Sequence, residues 1–251
     1  GAMLNGMAAH GGVVPTGVTY LVFSDYLRPV LRLAAMMKLP VVHAFTHDSI
    51  GIGRNGPTHQ PIEHLASLRA IPGLHVFRPA DAVEAAECWE LALARRDGPS
   101  ALVFARQPLP AVRREAGANR SAQGAYVLHE PAGGRDVTLL ATGSEVALAM
   151  EAKQVLDAAG LKTRVVSMPS TEVFDRQDAA WRESVLPNAV RRRVAVEAGV
   201  TGFWGKYVGL DGAVVGIDSF GASAPAGELF KHFGITTAKV VQVARSLVSR
   251  A

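Results

Sequence analysis

Residues 41–61 read Val41-Val42-His43-Ala44-Phe45-Thr46-His47-Asp48-Ser49-Ile50-Gly51-Ile52-Gly53-Arg54-Asn55-Gly56-Pro57-Thr58-His59-Gln60-Pro61. A short apolar run, broken only by His43, opens this stretch, and such a run suits a strand buried on both faces of a parallel sheet. The polar segment behind it then falls beyond the strand's carboxyl end, where open α/β sheets bind ligands. Residues 46–61 hold two histidines, an acid, several hydroxyl and amide side chains, and glycines that permit close backbone approach. Histidine can hydrogen-bond and move protons near neutral pH. Zinc is weakly supported, because His47 and His59 lie twelve apart with no cysteine nearby. Neither G-x-x-x-x-G-K-[ST] nor G-x-G-x-x-G occurs, so a loop phosphate cradle has no motif behind it. A glycine-rich surface loop with incidental histidines is the plain alternative; the clustering after a strand favours a site.

Working outward, more short apolar runs alternate with helical patterns. Tyr20-Leu21-Val22-Phe23, Leu74-His75-Val76-Phe77 and Ala101-Leu102-Val103-Phe104 read as further strands of the first block. A helix is expected over residues 81–95, with Ala82, Ala86, Trp89 and Leu93 as its apolar stripe. Asp81 and Glu84 have capping-box spacing at its start, and Asp97-Gly98-Pro99 stops it. Residues 108–123 lack a sustained apolar period and are rich in Pro, Gly and charge, which marks a linker. A second block follows, with strands at Val137-Thr138-Leu139-Leu140-Ala141, Arg164-Val165-Val166-Ser167, Val194-Ala195-Val196 and 213–217. Thr142-Gly143-Ser144 leads its first helix, and a last helix is expected over residues 237–248.

The fold class is therefore α/β, with two consecutive parallel-type domains: residues 1–107, a linker at 108–123, and residues 124–251. Helix-like residues 2–9 precede any strand, so the first domain is expected to be truncated at its N-terminus.

The chain has 251 residues, 49% hydrophobic and 19% charged, enough for one large core or two modest ones. Net charge is a mild +4. The densest basic cluster, Arg191-Arg192-Arg193, reads as a solvated turn entering a strand, so no nucleic-acid partner is expected. No apolar run approaches the ~20 residues of a membrane span, and no signal peptide opens the chain. The single cysteine, Cys88, fits a reducing compartment, so a cytoplasmic location is expected.

The segment His47-Asp48-Ser49-Ile50-Gly51 with Gly56-Pro57-Thr58-His59-Gln60-Pro61 resembles the transketolase signature. The agreement is collinear over essentially the whole chain. It takes in Asn5-Gly6, His10-Gly11-Gly12, residues 20–26, Arg78-Pro79-Ala80-Asp81 and Arg106-Gln107. In the second block it takes in Thr142-Gly143-Ser144-Glu145, Glu197-Ala198-Gly199 and residues 220–226.

The resemblance implies a homodimeric, magnesium- or calcium-dependent thiamine diphosphate enzyme that moves two-carbon ketol units between sugar phosphates, as in the pentose phosphate pathway. It covers the later part of the pyrimidine-binding domain and the C-terminal domain. By the same resemblance Phe23 stacks on the cofactor's aminopyrimidine, with Tyr20 and Tyr26 as aromatic neighbours. His59 is the catalytic group. His47, Asn55, His59 and Arg106 contact substrate, Arg106 meeting its phosphate. Most members carry aspartate where this chain has Asn55, which puts the usual charge-assisted contact to a substrate hydroxyl in doubt. The family's catalytic glutamate falls before Asn5-Gly6, and no metal ligand is expected within the chain. The isolated chain is thus expected to be an inactive fragment. The competing readings are a non-catalytic half of a split thiamine enzyme, and a related enzyme such as deoxyxylulose-phosphate synthase or a ketoacid dehydrogenase β chain.

Overall fold

A computed structural model describes residues 1–115 and 117–249. Ala116, in the expected linker, and Arg250 and Ala251, at the end of the second block, lie outside the described residues.

The first domain runs α1 (Ala2–His10), β1 (Thr16–Tyr20), α2 (Ser24–Met36), β2 (Val42–Thr46), α3 (His64–Arg69), β3 (His75–Phe77), α4 (Ala82–Ala94) and β4 (Ser100–Val103). Its sheet has the order β1-β2-β4-β3 and is parallel throughout. The second runs β5 (Tyr126–His129), β6 (Val137–Ala141), α5 (Glu145–Ala158), β7 (Thr163–Ser167), α6 (Thr171–Asp175), α7 (Ala179–Val185), β8 (Arg193–Val196), α8 (Gly205–Val208), β9 (Ala213–Val215), α9 (Ala226–His232) and α10 (Thr237–Val248). Its sheet order is β5-β7-β6-β8-β9.

Strands β2, β4, β6 and β7 are buried nearly end to end, as continuous apolar runs predict. Strand β5 is different. It pairs antiparallel with β7 and carries a bulge, and it is not among the strands expected from the sequence.

Two expectations need correction. The first strand is Thr16–Tyr20, and Leu21–Phe23 is a 3-10 turn that leads into α2. Only Tyr20 of the expected run lies in the strand. The stripe on α4 is also wrong. Ala82, Ala86 and Leu93 are exposed, while Glu84, Glu87, Cys88 and Ala92 are buried. Two glutamates occupy the inner face because the second domain supplies partners for Glu84 and the segment between the domains supplies those of Glu87. Asp81 caps α4 by accepting from the Glu84 amide, but the Glu84 carboxylate reaches the Ala80 amide and accepts from Tyr126 Oη and Ser167 Oγ, both 2.6 Å away. Burial raises the Glu84 pKa in spite of those bonds.

The segment between the domains is pinned, not slack. Asp81 accepts from the amides of Val112 and Arg113, Glu87 pairs with Arg113 at 2.5 Å, and Glu87 also accepts from the amides of Arg120 and Ser121. The basic cluster is also less solvated than expected. Arg193 donates to four carbonyls, those of Val190, Tyr207, Leu186 and Pro187.

Between the two sheets lies a buried ion cluster. Arg69 makes a fork to Glu197 at 2.8 and 2.9 Å, and Trp204 Nε1 donates to the same carboxylate at 2.8 Å. Arg78 meets Asp48, Glu145 and, at 3.6 Å, Glu197. Burial works against the Glu197 carboxylate, yet Arg69 and Arg78 outweigh it and hold its pKa below the usual range. Burial prevails at Glu145, whose pKa is raised. Removing one partner of such a pair strands the other charge, at a cost of about 3–5 kcal/mol. Glu197→Ala should therefore lower unfolding stability by that order in a denaturant titration; a loss below ~1 kcal/mol would contradict the cluster's role.

His43, in the middle of β2, is 2% exposed, and its Nε2 has no partner. Burial, then the positive N-terminus, lowers its pKa from 6.5 to about 4. The folded state thus binds this proton less readily than the unfolded chain. Stability from neutral His43 is present above pH 6.5 and is lost as pH falls towards 4. The shift corresponds to ~3 kcal/mol. Denaturation curves at stepped pH should show this slope, and His43→Leu should flatten it. An unchanged slope in that variant would assign the acid sensitivity elsewhere.

Candidate functional site

Strands β1, β2 and β4 are adjacent and parallel, so their carboxyl ends open on one edge. Tyr20 ends β1, His47 follows β2, and Arg106 lies just beyond β4. The aromatic groups form one connected array. The Tyr20 and Phe23 rings are nearly parallel, 7° apart with centroids at 5.9 Å. His47 stacks on Tyr20 at 3.7 Å. His59 presents an edge to Phe23 at 5.7 Å, and Tyr26 lies 6.1 Å from Phe23. Of these, Tyr20, Phe23, His47 and His59 are half-buried, while Tyr26 is 82% exposed.

His47 has a φ of 64°, the left-handed region that costs a side-chain-bearing residue energy. Its Nδ1 is 2.8 Å from Thr46 Oγ1. Its pKa is lowered, first by burial and then by the positive charge of Arg106, while Asp48 pulls the other way. His47 and Arg106 therefore share one electrostatic environment. Asn55 and Arg106 are exposed, Asn55 in the turn closed by the Gly56 amide on the Gly53 carbonyl. His59 Nδ1 lies 2.9 Å from Thr58 Oγ1. Tyr20, Phe23, Tyr26, His47, His59 and Arg106 thus lie along one edge, while Asn55 sits in an exposed turn of the same loop.

Several residues that shape this edge had no assigned role. Gln60 is buried and joins the domains: its amide nitrogen donates to the carbonyls of Gly53 and Ala222, and its oxygen accepts from the Ala222 amide. Ser223 Oγ donates to the Arg54 carbonyl. A Cβ on Gly51 would stand 2.5 Å from the Gln107 amide oxygen, so any larger residue there would push that side chain aside. The Asp48 carboxylate turns inward to Arg78. The signal for these residues was faint: a lone polar or charged side chain whose partners lie up to 169 positions away.

Among the described residues one grouping of three carboxylate and imidazole side chains could approach a metal: Asp25, Glu63 and His64. His64 Nε2 already bonds Asp25, and the two acids are exposed.

Two α/β domains thus carry an aromatic platform, two histidines and an arginine at one parallel sheet edge, an arrangement suited to a flat or anionic small molecule. The family model "Transketolase, pyrimidine binding domain" matches residues 1–112, and "Transketolase-like TK C-terminal domain" matches residues 124–236. The chain belongs to the transketolase family. It is 53% identical to Transketolase 1 of Vibrio cholerae serotype O1 over 99% of its own length and 37% of that protein. It is 56% identical to the transketolase of Sinorhizobium medicae over its full length and 36% of that protein. The chain thus spans little more than a third of these curated relatives. Among solved structures, the transketolase from Leishmania mexicana superposes with a TM-score of 0.92 at 43% identity, over 99% of this chain and 36% of that one. A structure titled "Split gene transketolase, inactive beta4 tetramer" superposes with a TM-score of 0.82 at 27% identity, over 99% of this chain and 80% of that one.

Because Arg106 helps hold His47 neutral, Arg106→Gln should raise the His47 pKa towards 6.5. Histidine-selective NMR titration reads this directly. A His47 midpoint that does not move would separate the two side chains.

Proposed function

We propose that this chain forms the pyrimidine platform and one substrate wall of a transketolase that transfers two-carbon ketol units from ketose phosphates to aldose phosphates. The observation that carries this reading is the single array of Tyr20, Phe23, His47 and His59 at one sheet edge, with Arg106 close enough to shift His47. The half-buried face of Phe23, flanked by Tyr20 and Tyr26, fits a flat aminopyrimidine, and stacking contributes on the order of 1 kcal/mol beyond burial. Thiamine diphosphate, when bound, supplies the carbon nucleophile that sugar carbonyl chemistry needs. Its diphosphate and its divalent metal, Mg2+ or Ca2+, are held by residues outside this chain, as is the catalytic glutamate.

The chain's own groups have separable tasks. His59, at the edge of Phe23, holds or moves a proton at the substrate's reacting oxygen. Neutral His47 hydrogen-bonds the far end of the substrate. Arg106 pairs with its phosphate through a planar fork suited to that geometry. Asn55, in its exposed turn of the same loop, meets a substrate hydroxyl with an amide in place of a carboxylate. The assembled enzyme is a cytoplasmic homodimer serving sugar-phosphate metabolism such as the pentose phosphate pathway, with no nucleic-acid or membrane partner. Among the described residues no helix is long and apolar enough to cross a membrane.

A second reading has its own support. The split-gene relative is covered over 80% of its chain, so this chain as a separate subunit that pairs with another polypeptide is consistent with that architecture.

The isolated chain should show no ketol transfer; measurable turnover by it alone would refute the division of the site. In the assembled enzyme, His59→Gln should lower kcat by roughly 10²–10⁴-fold, the range of a lost acid–base group. Asn55→Asp should change selectivity between donors that differ at the contacted hydroxyl. Unchanged selectivity would remove Asn55 from the site.

A further inference from the structure

Asp48 follows His47 directly, is 1% exposed, and points away from the site. Its Oδ2 accepts from Arg78 Nη2 at 2.6 Å and Nε at 3.1 Å. Arg78 is itself fully buried, and everything else its guanidinium touches belongs to the second domain. Nη1 donates to Glu145 Oε2 at 2.5 Å and to the Thr142 carbonyl at 3.0 Å, and Nη2 lies 3.4 Å from Ser144 Oγ. The backbone crosses as well: the Arg78 amide donates to the Pro169 carbonyl, and the Gly143 amide donates to the Arg78 carbonyl. Gly143 has a φ of 57°, and a Cβ there would stand 2.7 Å from Arg78 Nε, so the second domain is shaped to admit this side chain.

His47 meanwhile holds a left-handed backbone that its own turn does little to enforce. Its side-chain contacts are Thr46 Oγ1 and the Tyr20 ring. A non-glycine residue persists there only where the surroundings over-determine it. The neighbouring carboxylate, locked by a two-point guanidinium contact, is the surrounding that does so. We propose that Arg78 is a positioning residue: through Asp48 it fixes the His47 backbone and keeps the imidazole on Tyr20. The second domain thereby sets the geometry of a substrate-binding group it never touches. This rests on the reading of His47 as a substrate-binding group, whereas the positioning itself can be read without substrate.

The test uses the whole chain with ¹³C-labelled histidine rings, His47 being identified by the signal lost in His47→Gln. In the wild type, the Tyr20 ring current displaces the His47 ring protons upfield. Two variants interrupt the link differently. Arg78→Lys keeps the charge and loses the fork, and Asp48→Asn keeps the shape and loses the charge. Each folded variant should lose most of the His47 displacement, while His43, stacked on Phe45 inside β2, keeps its own shift. A folded variant in which His47 stays displaced, or in which His47 and His43 move together, would overturn the proposal. If Arg78→Lys does not fold, Asp48→Asn decides by the same outcomes. If neither folds, the pair is purely structural and the positioning role is lost. Inorganic phosphate added to the wild type tests the substrate reading separately. A silent His47 there would sink that reading and leave the positioning result standing.

Discussion

Arg78 is shut off from bulk solvent, and that constraint organises the molecule. A guanidinium in a dry interior is tolerated only when its donors are matched and its charge is met. Asp48 from one domain and Glu145 from the other meet it, and the Thr142 carbonyl accepts a further hydrogen bond. Beside it, Arg69 and Glu197 repeat the arrangement with Trp204 completing the carboxylate's bonds. Neither domain alone could bury these groups, because each holds charges whose partners lie across the boundary. The two sheets are therefore coupled by electrostatics as well as by packing. Ile50, Ile62 and Ala80 of the first domain also join the apolar core around β6 and β8.

The coupling bears on the site because the loop that carries the histidines is also the loop that faces the second domain. Asp48 and Gln60 stand near its two ends and both turn inward, while His47 and His59, one residue before each, turn to the sheet edge. A single segment is thus fastened by alternate side chains and functional through their neighbours. Rigid support of this kind is what a binding constellation needs to hold its geometry.

Much of this was legible in the sequence. The apolar runs located eight of the nine strands among the described residues, though the first was displaced, and residues 46–61 stood out as the candidate site by their position after β2. Periodicity identified α10 with its observed limits. Three things were hidden, each for a physical reason. Strand β5 was passed over because its short apolar run, residues 125–128, directly follows the expected linker, and as an edge strand it is only half-buried after Tyr126. The inner face of α4 was misread because Glu84 and Glu87 look like solvent residues, and only Tyr126, Ser167 and Arg113 make their burial possible. Arg78, Glu145 and Glu197 matched family segments but carried no visible role, since their meaning is a contact between residues far apart in the chain.

The central claim is that the site loop is part of one cooperative unit spanning both domains, not a surface segment laid over the first. Amide hydrogen exchange measures this most directly. The amides of Ile52, Gly53, Gly56 and His59 donate within the loop to Ser49, Ile50, Gly53 and Gly56. The account predicts that these exchange only through the same global opening that exposes β2 and β6, with matching free energies and denaturant dependence. Rapid exchange of these four amides while β2 and β6 stay protected would show a locally mobile loop and contradict the account.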